Sequence, residues 1–307
     1  VDADGESEVF YGTGARDSVP GTLFCVDGNG DERWRFTGGF RDDQPRPFEL
    51  TNTFNASGPF VRDLDHDGFS EVLAVFNHAP YYAGQLALLT VDGTYVSSFW
   101  NRGHFFAASL GSDLRAMAFA DIDHDGLDEI LAGGSNNGTN TAVLAILDPR
   151  AVRGVGPRSL ADTLNAAWQS YIVFPACPPL EQTAGTIARL GIGTVQNVRW
   201  EGQPVIRAES KGWLPDTSWV GFTYHLDYDL QLVFFNMDDQ TKKWIRRARA
   251  QGLTDADVDS PEFWRMMTDI RVIPGDPRLL LPPGEPGARD AAVATRRDGT
   301  QRGGAIP

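Results

Sequence analysis

Several features are scarce or missing in this chain of 307 residues. It has no run of about twenty apolar residues, the length that a membrane-spanning helix needs, so no membrane span is expected. It has five scattered histidines and only two cysteines, Cys25 and Cys177, which suit either one disulfide in an oxidising compartment or two buried thiols. Glycine-rich phosphate loops and the G-x-S-x-G, H-E-x-x-H and C-x-x-C motifs are absent. No common catalytic or redox motif therefore suggests a reaction.

Positive charge is also scarce. Lys and Arg number 27 against 41 Asp and Glu, which gives a formal net charge of −14 at pH 7. One basic block, QTKKWIRRARAQ at 240–251, has a helical pattern. The overall negative charge argues against a surface that binds nucleic-acid phosphates. The block is interpreted as a solvated helix face, and no nucleic-acid partner is expected.

Two acidic stretches, VRDLDHDGFSEVLAVF at 61–76 and FADIDHDGLDEILAGG at 119–134, repeat each other almost position for position. In each, a D-x-D-x-D-G-x-x-E loop is followed by an apolar run typical of a buried strand. Alternating aspartates and a later glutamate supply the oxygen ligands that a hard cation such as Ca²⁺ prefers, and a glycine stands where the chain must reverse. The predicted ligands are the side chains of Asp63, Asp65, Asp67 and Glu71 with the Phe69 carbonyl, and those of Asp121, Asp123, Asp125 and Glu129 with the Leu127 carbonyl.

Two other interpretations of these loops are less consistent with the sequence. An EF-hand needs a glutamate at the twelfth position and a helix on each side, but the twelfth residues are Ala74 and Ala132, and strand-like runs follow. An acidic turn without an ion would place several carboxylates close together with no compensating charge. The pattern therefore favours calcium or a similar hard cation.

The loops and the strands after them resemble the FG-GAP (VCBS, integrin α-type) repeats, whose calcium loops join neighbouring strands in the blades of a β-propeller. The resemblance covers about residues 1–150, with two complete motifs and one partial one. The partial copy, VDADGESEV at 1–9, aligns with 64–72, so its first aspartate would precede residue 1. The chain is therefore expected to be a piece of a longer protein. The partial copy implies a weaker third site formed by Asp2, Asp4, Glu6 and Glu8.

The repeat extends beyond the loops. Asp63 and Asp121 are 58 positions apart, and in each copy a second apolar run leads to an aspartate-led turn. Asp-Gly between strand-like segments is a strong hairpin signal. A period near sixty residues with about four short strands per unit predicts an all-β chain that forms a β-propeller or an arc of one. The turns begin at Asp27, Asp92 and Asp148.

The second half of the chain lacks the acidic motif. Residues 151–238 favour strands, interpreted as further blades or a β-rich extension, with one short helix expected around 159–165. Residues 239–273 are predicted to be helical in part, and Ser260 before Pro261 and Glu262 is a typical helix start. The Pro/Gly-rich segment 274–307 is expected to be an extended tail or disordered.

One group of residues in this half could carry chemistry. His225, Asp227 and Asp229 alternate along a presumed strand and would share one of its faces. They could form a metal site or an acid–base pair, although a polar face turned to solvent is the favoured interpretation.

The function predicted from these patterns is a non-catalytic, calcium-stabilised propeller that acts as a binding or scaffolding module. Loops of this class suit compartments where calcium is near millimolar, so an extracytoplasmic location is expected. The partner would be a protein or a glycan bound by loops on the propeller faces. Two alternatives remain open: a structural or accessory subunit of a larger extracellular or membrane-associated assembly, and a polysaccharide-active enzyme on a propeller.

Overall fold

The computed structural model describes eight segments of the chain. Asp2, Asp4 and Glu6 of the partial loop, most of the expected helix at 159–165 and the tail beyond Gly275 lie outside them. The described segments are 7–16, 19–41, 53–78, 83–106, 116–159, 169–179, 190–213 and 219–275.

The described part of the chain is mostly β-structure, with eighteen strands in four sheets. The apolar runs of the acidic repeats form strands, as their sequence patterns predict. The strands are β1 (Val9–Gly12), β2 (Thr22–Val26), β3 (Glu32–Thr37), β4 (Phe54–Ala56), β5 (Phe60–Arg62), β6 (Glu71–His78), β7 (Gly84–Thr90), β8 (Tyr95–Asn101), β9 (Met117–Ala120), β10 (Glu129–Asn136), β11 (Thr141–Leu147), β12 (Gly154–Val155), β13 (Ser170–Val173), β14 (Gly191–Trp200), β15 (Gln203–Trp213), β16 (Trp219–Leu226), β17 (Leu232–Met237) and β18 (Arg271–Pro274).

The sheets follow one another along the chain. Sheet 1 has the order β1-β2-β3, and sheet 2 has the order β12-β8-β7-β6-β4, with β5 also paired with β6. Sheet 3 has the order β18-β13-β11-β10-β9, and sheet 4 has the order β14-β15-β16-β17. Only the short pairing of β12 with β8 is parallel within these sheets. Neighbouring strands are therefore joined mainly as antiparallel hairpins.

The sequence repeat is also a repeat of strand order. In sheets 2 and 3 the strand before the acidic loop pairs with the strand after it, as β5 pairs with β6 and β9 with β10. The strand after the loop pairs in turn with the next strand of the chain, β7 or β11. In sheet 1, β1, β2 and β3 stand in the positions of β6, β7 and β8.

Successive sheets pack face to face through three apolar clusters. The cluster between sheets 1 and 2 includes Leu23 and Phe76, and the cluster between sheets 2 and 3 includes Leu86 and Ile130. Because side chains alternate across a strand, Leu131 points to the opposite face of β10 and joins the cluster between sheets 3 and 4. Full burial of one such side chain contributes roughly 1.5–3 kcal/mol, so these clusters hold the four sheets together.

Two α-helices follow sheet 4 in the described part of the chain, as the sequence predicts. Helix α1 (Asp239–Ala250) begins after Asp238, whose side chain accepts a hydrogen bond from the Thr241 N–H at 2.6 Å. Helix α2 (Pro261–Met267) begins after Ser260, whose hydroxyl oxygen accepts from the Phe263 N–H at 3.2 Å. No described helix has the length and apolar character needed to cross a membrane.

Three local features differ from the simplest sequence prediction. Asp148 accepts a hydrogen bond from the Arg150 N–H and begins a single turn of 3-10 helix instead of a hairpin. The next strand to pair with β11 is β13, which follows only after a longer connection. Strand β17 starts two residues after Leu230, because Leu230 has a φ of 61° within a turn. Cys25 and Cys177 are both buried and are not joined to each other, so of the two interpretations the disulfide is wrong.

Candidate metal centres

Two acidic loops stand at equivalent points of sheets 2 and 3. Loop 1 (residues 63–71) joins β5 to β6, and loop 2 (residues 121–129) joins β9 to β10. Their backbones turn in the same way: His66 and His124 have φ values of 60° and 63°, and Gly68 and Gly126 have φ values of 93° and 92°. Glycine adopts positive φ without strain, which explains its place in the motif.

Four hydrogen bonds fix each loop, and they are equivalent in the two copies. Each aspartate accepts a bond from a backbone N–H further along its own loop, and the final glutamate accepts one from the residue after the first aspartate. In loop 1 the backbone N–H of Gly68 donates to Asp63 at 3.1 Å, that of Asp67 to Asp65 at 3.2 Å, that of Phe69 to Asp67 at 2.8 Å and that of Leu64 to Glu71 at 2.8 Å. In loop 2 the backbone N–H of Gly126 donates to Asp121 at 3.2 Å, that of Asp125 to Asp123 at 3.1 Å, that of Leu127 to Asp125 at 2.9 Å and that of Ile122 to Glu129 at 2.8 Å.

These bonds leave carboxylate oxygens gathered at one point of each loop. One oxygen from each of three carboxylates lies within 4.8 Å of the others, in Asp63, Asp65 and Glu71 and again in Asp121, Asp123 and Glu129. The Oδ1 atoms of Asp63 and Asp121 are buried and accept no hydrogen bond. An all-oxygen donor set with a buried, unsatisfied anionic atom fits a hard cation. Both clusters could therefore hold a metal ion.

The glutamates show how unfavourable these clusters are without a compensating charge. Burial, opposed by the Leu64 N–H and reinforced by nearby aspartates, raises the pKa of Glu71 above its ordinary value. Burial raises the pKa of Glu129 to about 7, again opposed by a backbone N–H and reinforced by Asp123 and Asp125. A bound cation would supply the positive charge that these carboxylates lack.

Not all predicted ligands lie in the clusters. The side chains of Asp67 and Asp125 are exposed and lie outside the groups of three, although each accepts a backbone N–H as the clustered carboxylates do. The carbonyl oxygens of Phe69 and Leu127 stay predicted ligands. In the partial third loop only Glu8 is described, and its nearly buried carboxylate pairs with Arg33 from β3 at 3.6 Å.

The two loops differ in their surroundings. Within the described chain, the four acidic side chains of loop 1 accept hydrogen bonds only from loop 1 itself. In loop 2, Gln169 donates to Asp123 Oδ2 and Arg150 donates to Asp125 Oδ2, each at 2.7 Å. Both oxygens of these two aspartates are thereby used. Among the three alternating aspartates and the final glutamate of the motif, loop 1 therefore keeps four carboxylate oxygens without a donor in the described chain, and loop 2 keeps two.

Loop 2 also contacts two parts of the fold that lie far from it in the sequence. Arg62 at the end of β5 pairs with Asp128, which links sheet 2 to sheet 3. The ring of His124 lies 5.9 Å from the ring of Tyr228, in the turn between β16 and β17 of sheet 4. No local signal in the sequence marks these partners, because they lie 66 and 104 positions away from the residues they contact.

The second candidate group does not form. Strand β16 ends at Leu226, and Asp227 lies in a turn where its carboxylate accepts a hydrogen bond from the Gln231 N–H at 2.7 Å. His225 instead packs between Trp200 and Phe234, with ring centroids 4.6 and 4.9 Å away. The prediction that His225, Asp227 and Asp229 share one strand face is therefore wrong, because the turn begins before the second of them.

Comparison with known proteins adds little to this description. No protein-family model matches the chain, and no curated protein matches it. One matching solved structure is described as "Structure of Dos1 propeller", with 13% sequence identity and a TM-score of 0.34. The match covers 75% of this chain and 44% of that chain. At this TM-score the two structures superpose only loosely.

Proposed function

We propose that the chain is a calcium-stabilised β-propeller, or an arc of one, built from FG-GAP-like repeats. The observation that carries the proposal is the pair of buried, unsatisfied Oδ1 atoms of Asp63 and Asp121, each beside two more carboxylates. A buried charge without a partner is unfavourable, and an ion bound by several oxygens removes that penalty. Calcium suits a flexible acidic loop better than magnesium, which demands a near-ideal octahedron.

The arrangement of the sheets supports the propeller. Sheets 1, 2 and 3 share one strand order, and each packs its face on the next through apolar side chains. Propellers are built by radial repetition of such antiparallel units. Loop 1 lies between β5 and β6 and loop 2 between β9 and β10, where an ion would fix the entry to the following strand of the blade.

The ions in this proposal are structural. Without a cation, each loop carries carboxylates that repel one another; with it, the loop becomes a rigid connection between two paired strands. Since an ion that binds only the folded loop stabilises the folded chain, binding free energy becomes folding free energy. Loop 2 would also stabilise the packing of sheet 3 on sheets 2 and 4, through the contacts of Asp128 and His124.

The proposed role is a non-catalytic binding or scaffolding module outside the cytoplasm. Calcium modules with dissociation constants of about 10⁻⁴–10⁻³ M are filled where calcium is near millimolar, as it is outside cells. The acidic residues of loops 1 and 2 are assigned to structural ions. Recognition of a protein or glycan partner is assigned to other loops, at the ends of the sheets.

Calcium stoichiometry tests the proposal directly. Asp63→Asn and Asp121→Asn are each expected to remove one equivalent of bound calcium from the wild-type count, because each replaces the carboxylate that holds the unsatisfied oxygen. Isothermal titration of metal-free protein measures the count. Asp92→Asn is the matched control: Asp92 is also a turn aspartate, but among the described residues its carboxylate bonds only to Thr90 and Thr94, so the count should not change. Equal counts in all four proteins would contradict the proposal.

The difference between the loops gives a further expected result. Arg150→Ala should raise the calcium affinity of loop 2 by roughly three- to tenfold, because it frees Asp125 Oδ2 and removes a nearby positive charge. The titration is made in the Asp63→Asn background, so that loop 1 binds no calcium and only loop 2 is measured. Arg35→Ala, which removes a surface partner of Glu32 in sheet 1, serves as control and should leave the affinity unchanged. Weaker binding in Arg150→Ala would mean that Arg150 supports the ion instead of competing with it.

A further inference from the structure

A cleft unrelated to the acidic loops opens beside the C-terminal helices. Its volume is about 440 Å³, which lies within the range of small-molecule sites. One wall is the Pro178–Pro179 segment that follows β13, and the other is the connection from α1 to α2 with the first turns of α2. The apolar side chains that line it are those of Pro178, Pro179, Ala256, Phe263 and Met266.

The walls of the cleft are held in place by the core. Phe263 is only 4% exposed and belongs to the cluster between sheets 3 and 4. The helix connection is fixed by two hydrogen bonds: Trp264 Nε1–H donates to the Val258 carbonyl at 2.7 Å, and the Ala256 N–H donates to Thr254 Oγ1 at 3.2 Å. The cleft is thus preformed, so a ligand need not order it on binding.

The ionisable residues of the described lining are all acidic. Asp257 accepts a hydrogen bond from the Asp259 N–H and pairs with Arg249, and Glu262 pairs with Arg265. Asp255 is exposed at the rim and makes no hydrogen bond or ion pair within the described residues. The cleft therefore combines an apolar floor with one carboxylate whose charge is not compensated.

We propose that this cleft binds a small organic cation, an amine or guanidinium carried on an apolar body. The cationic group pairs with Asp255, and the apolar body lies against Phe263, Met266 and the two prolines. An anion is repelled by the rim, and a neutral apolar molecule gains nothing from Asp255. The cleft shares no residue with loops 1 and 2, so the test of this proposal does not depend on whether those loops bind calcium.

Binding of matched probes tests the charge requirement. Phenethylamine and its neutral analogue phenethyl alcohol are titrated into the calcium-loaded chain, with backbone amide NMR shifts as the readout. The amine is expected to bind saturably and roughly two- to fivefold more tightly than the alcohol, and to weaken with added salt. Acetyl-Arg-Phe-amide distinguishes the source of the cation: tighter binding of this peptide identifies a basic peptide side chain, and tighter binding of the amine identifies a free amine.

Variants of the rim and floor locate the binding. Asp255→Asn is expected to lower amine affinity by roughly two- to fivefold and leave the alcohol unchanged, since Asp255 makes no hydrogen bond or ion pair with any residue of the eight described segments. Asp229→Asn, an exposed acidic residue in the turn after β16, is the matched control and should bind like wild type. Ala256→Phe fills the cleft and should abolish binding of both probes. Equal binding of amine and alcohol, amine binding unaffected by Asp255→Asn or Ala256→Phe, or no saturable binding of amine or peptide would overturn the proposal.

Discussion

Calcium held at about a hundred times the dissociation constant of the loops is expected to raise the midpoint of thermal unfolding by roughly 10–20 °C above its value in excess chelator. A site held at a hundred times its dissociation constant adds about 2.7 kcal/mol to the free energy of unfolding, and two loops add about twice that. In domains of 150–250 residues each kcal/mol moves the midpoint by about 2–4 °C. Differential scanning calorimetry at fixed protein concentration measures the shift, and magnesium should restore less of it than calcium.

The double variant Asp63→Asn/Asp121→Asn separates loss of the ion from general damage. It should show almost no response to calcium, because each loop loses the carboxylate whose buried Oδ1 accepts no hydrogen bond. In chelator it should be at least as stable as wild type, since the substitution removes a buried unsatisfied charge from each loop. A wild-type midpoint that is the same in calcium and chelator would rule out structural ions in these loops.

The geometry of the loops was predictable because it is set by residues that are close together in the sequence. Each acidic cluster comes from residues within nine consecutive positions, and its shape follows from alternating aspartates, one glycine and the backbone N–H groups of the same loop. The strands after the loops were predictable for the same reason, since β6 and β10 are continuous apolar runs. Asp67 and Asp125 were placed among the ligands by motif alone, and the geometry leaves them outside the group of three.

The surroundings of the loops were not predictable, because they depend on contacts between distant segments. Loops 1 and 2 are almost identical in sequence, yet only in loop 2 do aspartates accept hydrogen bonds from Arg150 and Gln169. Residue Gln169 reaches Asp123 because β13 returns to sheet 3, a pairing that no periodicity near either residue indicates. The same holds for β18, whose four residues near the end of the described chain complete the edge of that sheet.

The interface between sheets 2 and 3 contains a buried polar group that the sequence also gave no reason to single out. Asn101, at the end of β8, is fully buried, and its side-chain NH₂ donates to the carbonyls of Gly103 and Ser135 at 3.1 and 2.8 Å. The hydroxyl of Tyr171 in β13 donates to Asn101 Oδ1 at 2.7 Å. One side chain therefore ties sheet 2 to two strands of sheet 3.

Asn101→Ala is expected to lower the free energy of unfolding by roughly 3–5 kcal/mol, because it removes three hydrogen bonds and leaves two carbonyls and a hydroxyl buried with fewer partners. Tyr171→Phe removes only the hydroxyl and should lower it by roughly 1–2 kcal/mol. Urea unfolding followed by tryptophan fluorescence measures both. Asn29→Ala, in the exposed turn between β2 and β3, is the control and should stay within about 0.5 kcal/mol of wild type.

The loss in Asn101→Ala should be the same in calcium and in chelator. Asn101 shares no hydrogen-bond partner with loop 1 or loop 2, and contributions from sites without shared partners usually add. The ions would then fix the entry to each sheet, while the apolar clusters and Asn101 fix how the sheets pack, and the two contributions would be separate. A loss in Asn101→Ala that appears only in chelator would show instead that the ions and the sheet interface form one cooperative unit.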